Sequence, residues 1–344
     1  MITLLPFKKP YISHVPYDNC VLGVLQNYSQ TYDWIYTNFI NIYINQQTGK
    51  DYFYPVYLWK ICPFLDEFSL PFCFIRKLFP VYTDFLEYCL CNKFYVYNIL
   101  NIKYIMKYNV HINDVHNSFV YGIDSEKRVV KLCDFYKDGV YESHDCSYDE
   151  INKAFSSIPE CAWYGRDDFL NEHTKTIMLK FNDRIEYKFS YDIFRNNVKN
   201  YLAMEDLIYN NYEHVIAPSS YREEKYYWGA DCWNHMKNNY TLRYFSLLVS
   251  YSKMWMYRYD YFIEKRYVKE DSNIKKTIEE FYQNANMALC LYLKMFAVRK
   301  KDRILSIQTS ITILIEKCQK KDFIICKYFA ENQADILENV TLEL

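Results

Sequence analysis

The chain has 344 residues, enough for one large domain or two ordinary ones, and 51% of them are hydrophobic, so a sizeable core can form. Its formal net charge of −1 gives no overall attraction to nucleic acid or to an anionic membrane, and charged residues interrupt its longest apolar runs before they could span a bilayer. The first ten residues lack the apolar segment and cleavage site of a signal peptide. We therefore expect a cytoplasmic protein that binds neither nucleic acid nor membrane.

The cysteines and glycines exclude several classes of site. Twelve cysteines in a long chain without a secretion signal are expected to be free thiols. No C-x-x-C occurs, and the closest pair, Cys89 and Cys91, has poor spacing for zinc ligands, so we expect no metal site. The six glycines are never spaced as in a dinucleotide-binding or P-loop motif, which excludes those nucleotide-binding enzymes.

The first fifty residues predict two helices after an extended lead-in over 1–18. Asp18 and Asn19 are good helix caps, and apolar residues follow them at helical spacing, so we predict a helix from Cys20 to about Tyr28. A second helix is predicted from Tyr32 to Ile44.

The next segment changes in character along its length. Four prolines prevent residues 51–80 from forming one regular element: Pro55, Pro63, Pro71 and Pro80. Residues 81–92 have a helical pattern, whereas 94–108 fit either a helix or a strand.

Two hairpins and then a helical region are predicted in the rest of the chain. Two β-like runs surround the turn "DSEK" within 115–136, and a second hairpin is predicted over 175–195 with its turn at Asn182-Asp183. From about residue 226 the pattern is helical, with three long helices at 241–266, 273–299 and 302–333. The sequence therefore predicts an α+β domain over 1–224 and an all-α region over 225–344.

Cys20 is the first candidate catalytic residue. A thiol at a helix N-terminus has a lowered pKa, because the helix dipole favours the thiolate, and the thiolate is the nucleophile. Gly23, one turn inside the predicted helix, would let another chain segment approach closely. The alternative is that Cys20 is one more core residue, since cysteine is among the most buried residue types.

His116 and Asp134 are the candidates for a base and its orienting carboxylate. His116 opens the β-run "HNSFVYGID" and Asp134 ends the returning run, so a hydrogen bond across the hairpin is within reach. The loop decides whether they share a face. An even loop at 125–126 or 124–127 separates them, whereas a three-residue loop or a bulge puts them on one side. Otherwise His116 is a structural histidine and Asp134 ends a strand.

The order Cys…His…Asp resembles that of papain-like cysteine enzymes, although the local signature C-G-[SA]-C-[WY] is absent. "DNCVLGVLQNY" looks like the nucleophile helix of the butirosin-type acyltransferase family, and "DVHNSFVYGIDSEKRVVKLCDFY" looks like its His strand and Asp strand. "WGADCWNHM" and "LRYFSLLVSYSKMWMYR" are similar to the helical C-terminal portion of bacterial relatives in peptide-antibiotic clusters. The resemblance implies an α+β, papain-like core, made of a nucleophile helix and an antiparallel sheet, with an all-α C-terminal region.

The resemblance also implies an activity. Such enzymes accept an acyl or peptidyl chain from the phosphopantetheine thioester of a carrier protein and transfer it to an amine, so the expected partners are a carrier protein and a small amine, with no other cofactor. By position, Cys20 is the nucleophile, His116 the general base and acid, and Asp134 the orienting carboxylate. The usual oxyanion-hole position holds His14 here instead of Gln, which leaves His14 and the amide of Asn19 as candidate donors.

Two functions of other kinds remain open. A cysteine peptidase or thioesterase would use the same triad with water in place of the amine. A non-catalytic scaffold would keep the fold and bind a carrier protein. The basic run "RKKDR" at 299–303 would suit an acidic carrier protein, but a charged cluster between two helices is usually a solvated turn.

Two other cysteines also lie close to a histidine. Cys232 and His235 are neighbours on a predicted helix of the C-terminal region, where no strand orients them. His144 and Cys146 are expected in a polar loop, where nothing fixes their geometry. We predict that both cysteines are ordinary ones.

Overall fold

The computed structural model describes residues 2–13, 16–46, 49, 51–53, 60–136, 140–158, 175–204 and 226–331. They form an α+β architecture with an antiparallel sheet and C-terminal helices, as predicted. The chain divides into two compact units. The described residues of the first unit come from Met1–Tyr32 and Tyr57–Glu186, and those of the second come from Asp33–Val56, Tyr187–His214 and Glu223–Leu344. The second unit thus includes residues from both sides of the boundary predicted at 224.

The first unit is built on a sheet of seven strands in the described part of the chain, and all neighbouring strands are antiparallel. The strands are β1 (Ile2–Leu4), β4 (Leu65–Pro71), β5 (Phe94–Asn101), β6 (Val115–Asp124), β7 (Val129–Phe135), β8 (Tyr141–Ser147) and β9 (Lys175–Phe181). Their order is β4-β9-β5-β6-β7-β8, and β1 pairs with the end of β6.

In the described part of the chain, four helices pack against this sheet. They are α1 (Pro16–Leu25), α3 (Phe72–Leu78), α4 (Tyr82–Cys91) and α5 (Tyr148–Ser156). Helix α1 packs against β6 and β7, while α4 and α5 pack against β5 and its neighbours. Ser147 and Glu150 form a reciprocal capping box that starts α5.

The second unit has a small sheet and a helical core. Its described strands are β2 (Ile42–Asn45), β3 (Asp51–Phe53) and β10 (Tyr226–Trp228), in the order β10-β2-β3. Its helices are α2 (Tyr32–Asn38, which begins at the boundary), α6 (Tyr191–Ala203), α7 (Cys232–Asn238), α8 (Leu242–Glu264), α9 (Ser272–Ala297) and α10 (Lys301–Glu331). Helix α9 packs against both α8 and α10.

A buried arginine and a buried aspartate lie in the core of this second unit. Arg258 donates from Nε to the carbonyl of Tyr36 over 2.7 Å and from Nη2 to that of Phe39 over 2.5 Å, so it binds the carbonyl end of α2. Asp322 accepts hydrogen bonds from the hydroxyl of Tyr201 over 2.6 Å and from the indole N–H of Trp233 over 3.1 Å. Burial raises the pKa of Asp322 to about 6.

The long helices and the first hairpin are confirmed, whereas three local predictions are wrong. The region predicted to be all-α from 225 contains the short strand β10. The second helix ends at Asn38, and β2 follows it within the segment predicted as helix to Ile44. The hairpin predicted over 175–195 is a single strand, β9, because its partners are β4 and β5. Residues from Tyr191 onward form α6, whose N-cap is Ser190.

No helix in the described ranges has the length and apolar character needed to cross a membrane. The eleven cysteines in those ranges are all free thiols.

Candidate active site

The hairpin of β6 and β7 brings two of the three predicted residues onto one face of the sheet. Its turn has an even number of residues, which alone would separate them. A register shift at Tyr121 adds one residue to β6, however, so that Phe119 lies opposite Cys133. Because neighbours along a strand alternate, the side chains of His116 and Asp134 both point to the side away from Phe119 and Cys133.

Asp134 is a buried carboxylate with four donors around it. Its side chain is fully buried, and Nδ1 of His116 lies 2.8 Å from Oδ1 and 2.9 Å from Oδ2. The hydroxyl of Ser118 donates to Oδ2 over 2.9 Å, and the hydroxyl of Tyr108 donates to the same oxygen. The backbone N–H of Phe135 donates to Oδ1 over 2.6 Å. These hydrogen bonds offset the cost of burying a charged group.

His116 is oriented by this carboxylate and remains 38% exposed. Because Nδ1 faces Asp134, the neutral ring carries its proton on Nδ1 and keeps the lone pair on Nε2, where a base needs it. Burial lowers the pKa of His116, but the hydrogen bond and the charge of Asp134, helped by Asp114, raise it above the ordinary value. The hydrogen bond predicted between His116 and Asp134 is therefore present.

The raised pKa of His116 predicts how the stability of the protein depends on pH. Below the ordinary value of about 6.5 the ring is charged in both the folded and the unfolded chain, so the pairing with Asp134 contributes fully. This contribution is lost as the pH rises through the folded-state pKa. Wild type should therefore exceed His116→Gln in free energy of unfolding by more at pH 5.5 than at pH 8.5, measured by urea titration. His111→Gln, at an exposed histidine, is the control, and a difference that grows with pH would contradict the prediction.

Cys20 lies one turn inside α1 instead of opening it. The helix begins at Pro16, since proline has no N–H to lose at the first helical position and its φ is already helical. The predicted start at Cys20 is therefore wrong, and Asp18 and Asn19 are part of the first turn instead of its caps. The close approach predicted at Gly23 is confirmed, because the ring of Phe7 occupies the place where a Cβ would be.

The thiol of Cys20 is in an environment that favours its protonated form. It is fully buried, and burial, followed by the charge of Asp18, raises its pKa well above the ordinary value. The backbone N–H groups of Val21 and of Cys20 itself act in the opposite direction without outweighing burial. In this conformation Cys20 is a buried thiol, and the thiolate that catalysis requires is disfavoured.

Cys20 and His116 have different surroundings in the first unit. Cys20 lies near Cys133 and Tyr141, since ionisation of one of these groups would raise the pKa of its neighbour, and Cys133 and Tyr141 lie on the face of the sheet opposite to Asp134. His116, in contrast, is hydrogen-bonded to Asp134, and its ring centroid lies 6.1 Å from that of Tyr108. The structure therefore joins His116 to Asp134 and holds Cys20 near Cys133.

The structure describes only one of the two predicted oxyanion-hole donors, Asn19. The amide Nδ2 of Asn19 lies 3.3 Å from the hydroxyl oxygen of Ser13, to which it donates, and Asn19 is buried. His14 lies outside the described residues.

Cys232 and His235 both lie on α7, as predicted, but the prediction that no strand orients this pair is wrong, because Cys232 contacts β10 and β2. The thiol of Cys232 donates to the carbonyl of Tyr227 over 3.2 Å and to that of Ile42 over 3.6 Å. His235 Nε2 lies 2.9 Å from the hydroxyl of Tyr244. Burial lowers the pKa of His235, which makes it less able to hold a proton near a thiolate.

The pair formed by His144 and Cys146 lies on strand β8, so the prediction of a polar loop is wrong. The strand forms because its residues pair along β7, with His144 opposite Leu132 and Cys146 opposite Val130. Cys146 is buried, and burial raises its pKa to about 12. A thiol of that kind is a core residue.

Two residues of this site were not predicted from the sequence. Ser118 could have been predicted, because it follows His116 by two positions on one strand and must therefore lie on the same face of the sheet. Tyr108 could not have been predicted. It lies in a 3₁₀ turn at Met106–Tyr108, and no pattern in the sequence places that turn next to Asp134.

Comparison with family models and with curated proteins finds no match for this chain. Within the described ranges, no three His, Cys, Asp or Glu side chains form a group that could hold a metal ion.

Proposed function

We propose that the chain is a cytoplasmic, amide-forming acyltransferase with a papain-like core, which takes an acyl or peptidyl chain from a carrier-protein thioester and gives it to an amine. One observation supports this best. His116 is held by Asp134 with Nε2 as its basic nitrogen, and both residues lie on the two strands against which α1, the helix of Cys20, packs. A histidine with an orienting carboxylate is the acid–base part of a nucleophilic triad.

The proposed reaction has two half-reactions. In the first, the Cys20 thiolate forms a bond to the thioester carbonyl carbon, the C–S bond to pantetheine breaks, and the departing thiolate takes the proton that His116 received from Cys20. In the second, the amine attacks the acyl-enzyme carbonyl, the bond to Cys20 breaks, and His116 accepts the amine proton. Asp134 stabilises the imidazolium that forms in both halves.

The reaction makes a demand on Cys20 that this conformation does not meet. The thiol must become accessible to the thioester and must lose its proton to His116. Here it is fully buried with a raised pKa, and it lies near Cys133, on the face of the sheet opposite to Asp134. Binding of the donor would therefore have to be accompanied by movement of α1 relative to β6 and β7. The pH dependence of iodoacetamide labelling at Cys20, with and without a donor analogue, measures this directly.

A second function follows from the same observation. The burial of Cys20 favours a non-catalytic scaffold that keeps the fold and binds a carrier protein, in which Cys20 is a core residue. A peptidase or thioesterase with the same triad is the hydrolytic alternative, with water in place of the amine.

One incubation separates these functions. The protein is mixed with an acyl thioester carried on the phosphopantetheine of a carrier protein, with and without a panel of small amines. The small molecules, the intact protein mass and the binding of the carrier protein are followed. Amide formation together with an acyl adduct supports the transferase, and free acid without amide supports hydrolysis. Binding of a carrier protein without any adduct supports the scaffold.

A further inference from the structure

The hydroxyl of Tyr108 is bound to Asp134 inside the first unit. Tyr108 is the last residue of the 3₁₀ turn Met106–Tyr108, and its side chain is buried. Burial, and after it the neighbouring carboxylate, raise the pKa of Tyr108, so the phenol stays protonated and acts as the donor. Its hydrogen bond to Asp134 is charge-assisted and therefore among the stronger kinds.

The turn that carries Tyr108 is attached to a neighbouring helix or strand at each of its three residues. The backbone N–H of Met106 donates to Glu150 of α5 over 2.9 Å. The ammonium of Lys107 lies 2.7 Å from a carboxylate oxygen of Glu142 on β8. With Tyr108 bound to β7, the turn is fixed against three elements, so the phenol is held in place and its orientation does not depend on a single contact.

The donors around Asp134 define the plane of its carboxylate. Tyr108 and Ser118 both donate to Oδ2, while the N–H of Phe135 donates to Oδ1. A carboxylate held on both oxygens cannot rotate freely, and His116 Nδ1 meets it at 2.8 and 2.9 Å. Tyr108 and His116 also share one acceptor, Oδ2, and so compete for its charge.

We propose that Tyr108 is a positioning residue for the acyl-transfer reaction: its hydroxyl fixes the carboxylate of Asp134 and thereby the orientation and tautomer of His116. The proposal rests on the proposed function for its role in the reaction. The effect on His116, in contrast, depends only on the contacts described and can be measured without any substrate.

The test compares Tyr108→Phe with Tyr136→Phe. Tyr136 is a matched control, because it is also buried and its ring centroid lies 4.9 Å from that of Tyr108, but its hydroxyl donates to the carbonyl of Leu132 over 3.2 Å instead of to Asp134. ¹⁵N NMR of His116 gives the tautomer and the pKa of the ring in each variant. Urea unfolding reports any general loss of stability.

In Tyr108→Phe, Oδ2 of Asp134 no longer accepts a hydrogen bond from the phenol. More of the negative charge on this oxygen is then available to stabilise the imidazolium of His116. In Tyr108→Phe we expect the pKa of His116 to rise further by about half a unit, the effect of a modest hydrogen bond, and the share of the Nδ1–H tautomer to fall as the carboxylate gains freedom. Tyr136→Phe should leave both unchanged. An unchanged His116 in Tyr108→Phe, or the same change in both variants, would overturn the proposal.

The kinetic readout separates this proposal from the proposed function. If acyl transfer is found, Tyr108→Phe should lower kcat and leave KM close to wild type, since Tyr108 acts through His116 and does not bind substrate. A rise in KM at constant kcat would count against a positioning role. If wild type shows no transfer, the proposed function fails, while the NMR comparison still decides whether Tyr108 orients the pair.

Discussion

Replacing Cys20 by alanine is expected to abolish both the covalent acyl adduct and the amide product, because no nucleophile remains to accept the chain. This is the largest loss of activity that any single substitution in this chain should cause. Intact-mass spectrometry after incubation with an acyl-pantetheine thioester measures the adduct, and chromatography of the amide measures turnover. Removing one buried sulfur should cost about 1 kcal/mol of stability, so the variant should still fold.

Two other buried cysteines serve as controls for this substitution. Cys232→Ala and Cys146→Ala remove a thiol of similar burial from a helix and from a strand, and both should keep turnover close to wild type. An adduct that maps to Cys232, or full turnover in Cys20→Ala, would show that the proposed nucleophile is the wrong one.

Asp134→Asn is expected to slow acyl transfer by about four orders of magnitude, as the comparable change does in a serine triad. The amide cannot stabilise the imidazolium as a carboxylate does. It also presents an N–H₂ group to His116, which favours the tautomer with the proton on Nε2 and so removes the basic nitrogen from the reaction. Stopped assays of amide formation over a range of pH, with ¹⁵N NMR of His116, measure both consequences.

Asp145→Asn is the matched control for this change. Asp145 lies on β8 beside β7, but its side chain is half exposed and its partner is Lys131, at 2.8 Å. Exposed ion pairs of this kind contribute little, so turnover and stability should stay near wild type. Equal losses in the two variants would mean that a general effect on the sheet, and no specific role of Asp134, explains the result.

The pairing of His116 with Asp134 could be predicted from the sequence because it depends on local order. Two β-runs around a short turn form a hairpin, and alternation along each strand leaves only two possible arrangements of the pair. A bulge in β6 determines which of the two arrangements occurs. The sequence allows such a bulge but does not show that it lies at Tyr121. In contrast, β9 pairs with β4, which lies more than a hundred residues earlier in the chain. Residues 175–195 have the local pattern of a hairpin, but that pattern does not reveal so distant a partner.

The environment of Cys20 could not be predicted because it depends on packing. Asp18 and Asn19 are good caps in isolation, but Pro16 starts the helix earlier and moves Cys20 inward by one turn. Burial by the sheet then has a larger effect on the thiol than the helix dipole, which acts mainly on the first turn. A pattern of residue types identifies a cysteine at the right place in the chain order, but it does not tell how much water reaches the sulfur.

The register shift at Tyr121 also determines where the length of this hairpin can be changed. An insertion in the turn 125–128 lies beyond the shift, so the pairing of Phe119 with Cys133 and everything on the His116 side of it would be preserved. Deleting one residue between His116 and Phe119 would rotate the histidine to the opposite face and separate it from its carboxylate. An epitope tag or a fluorophore therefore belongs in the turn, and homologous chains should vary in length there and keep a constant count of residues from His116 to the shift.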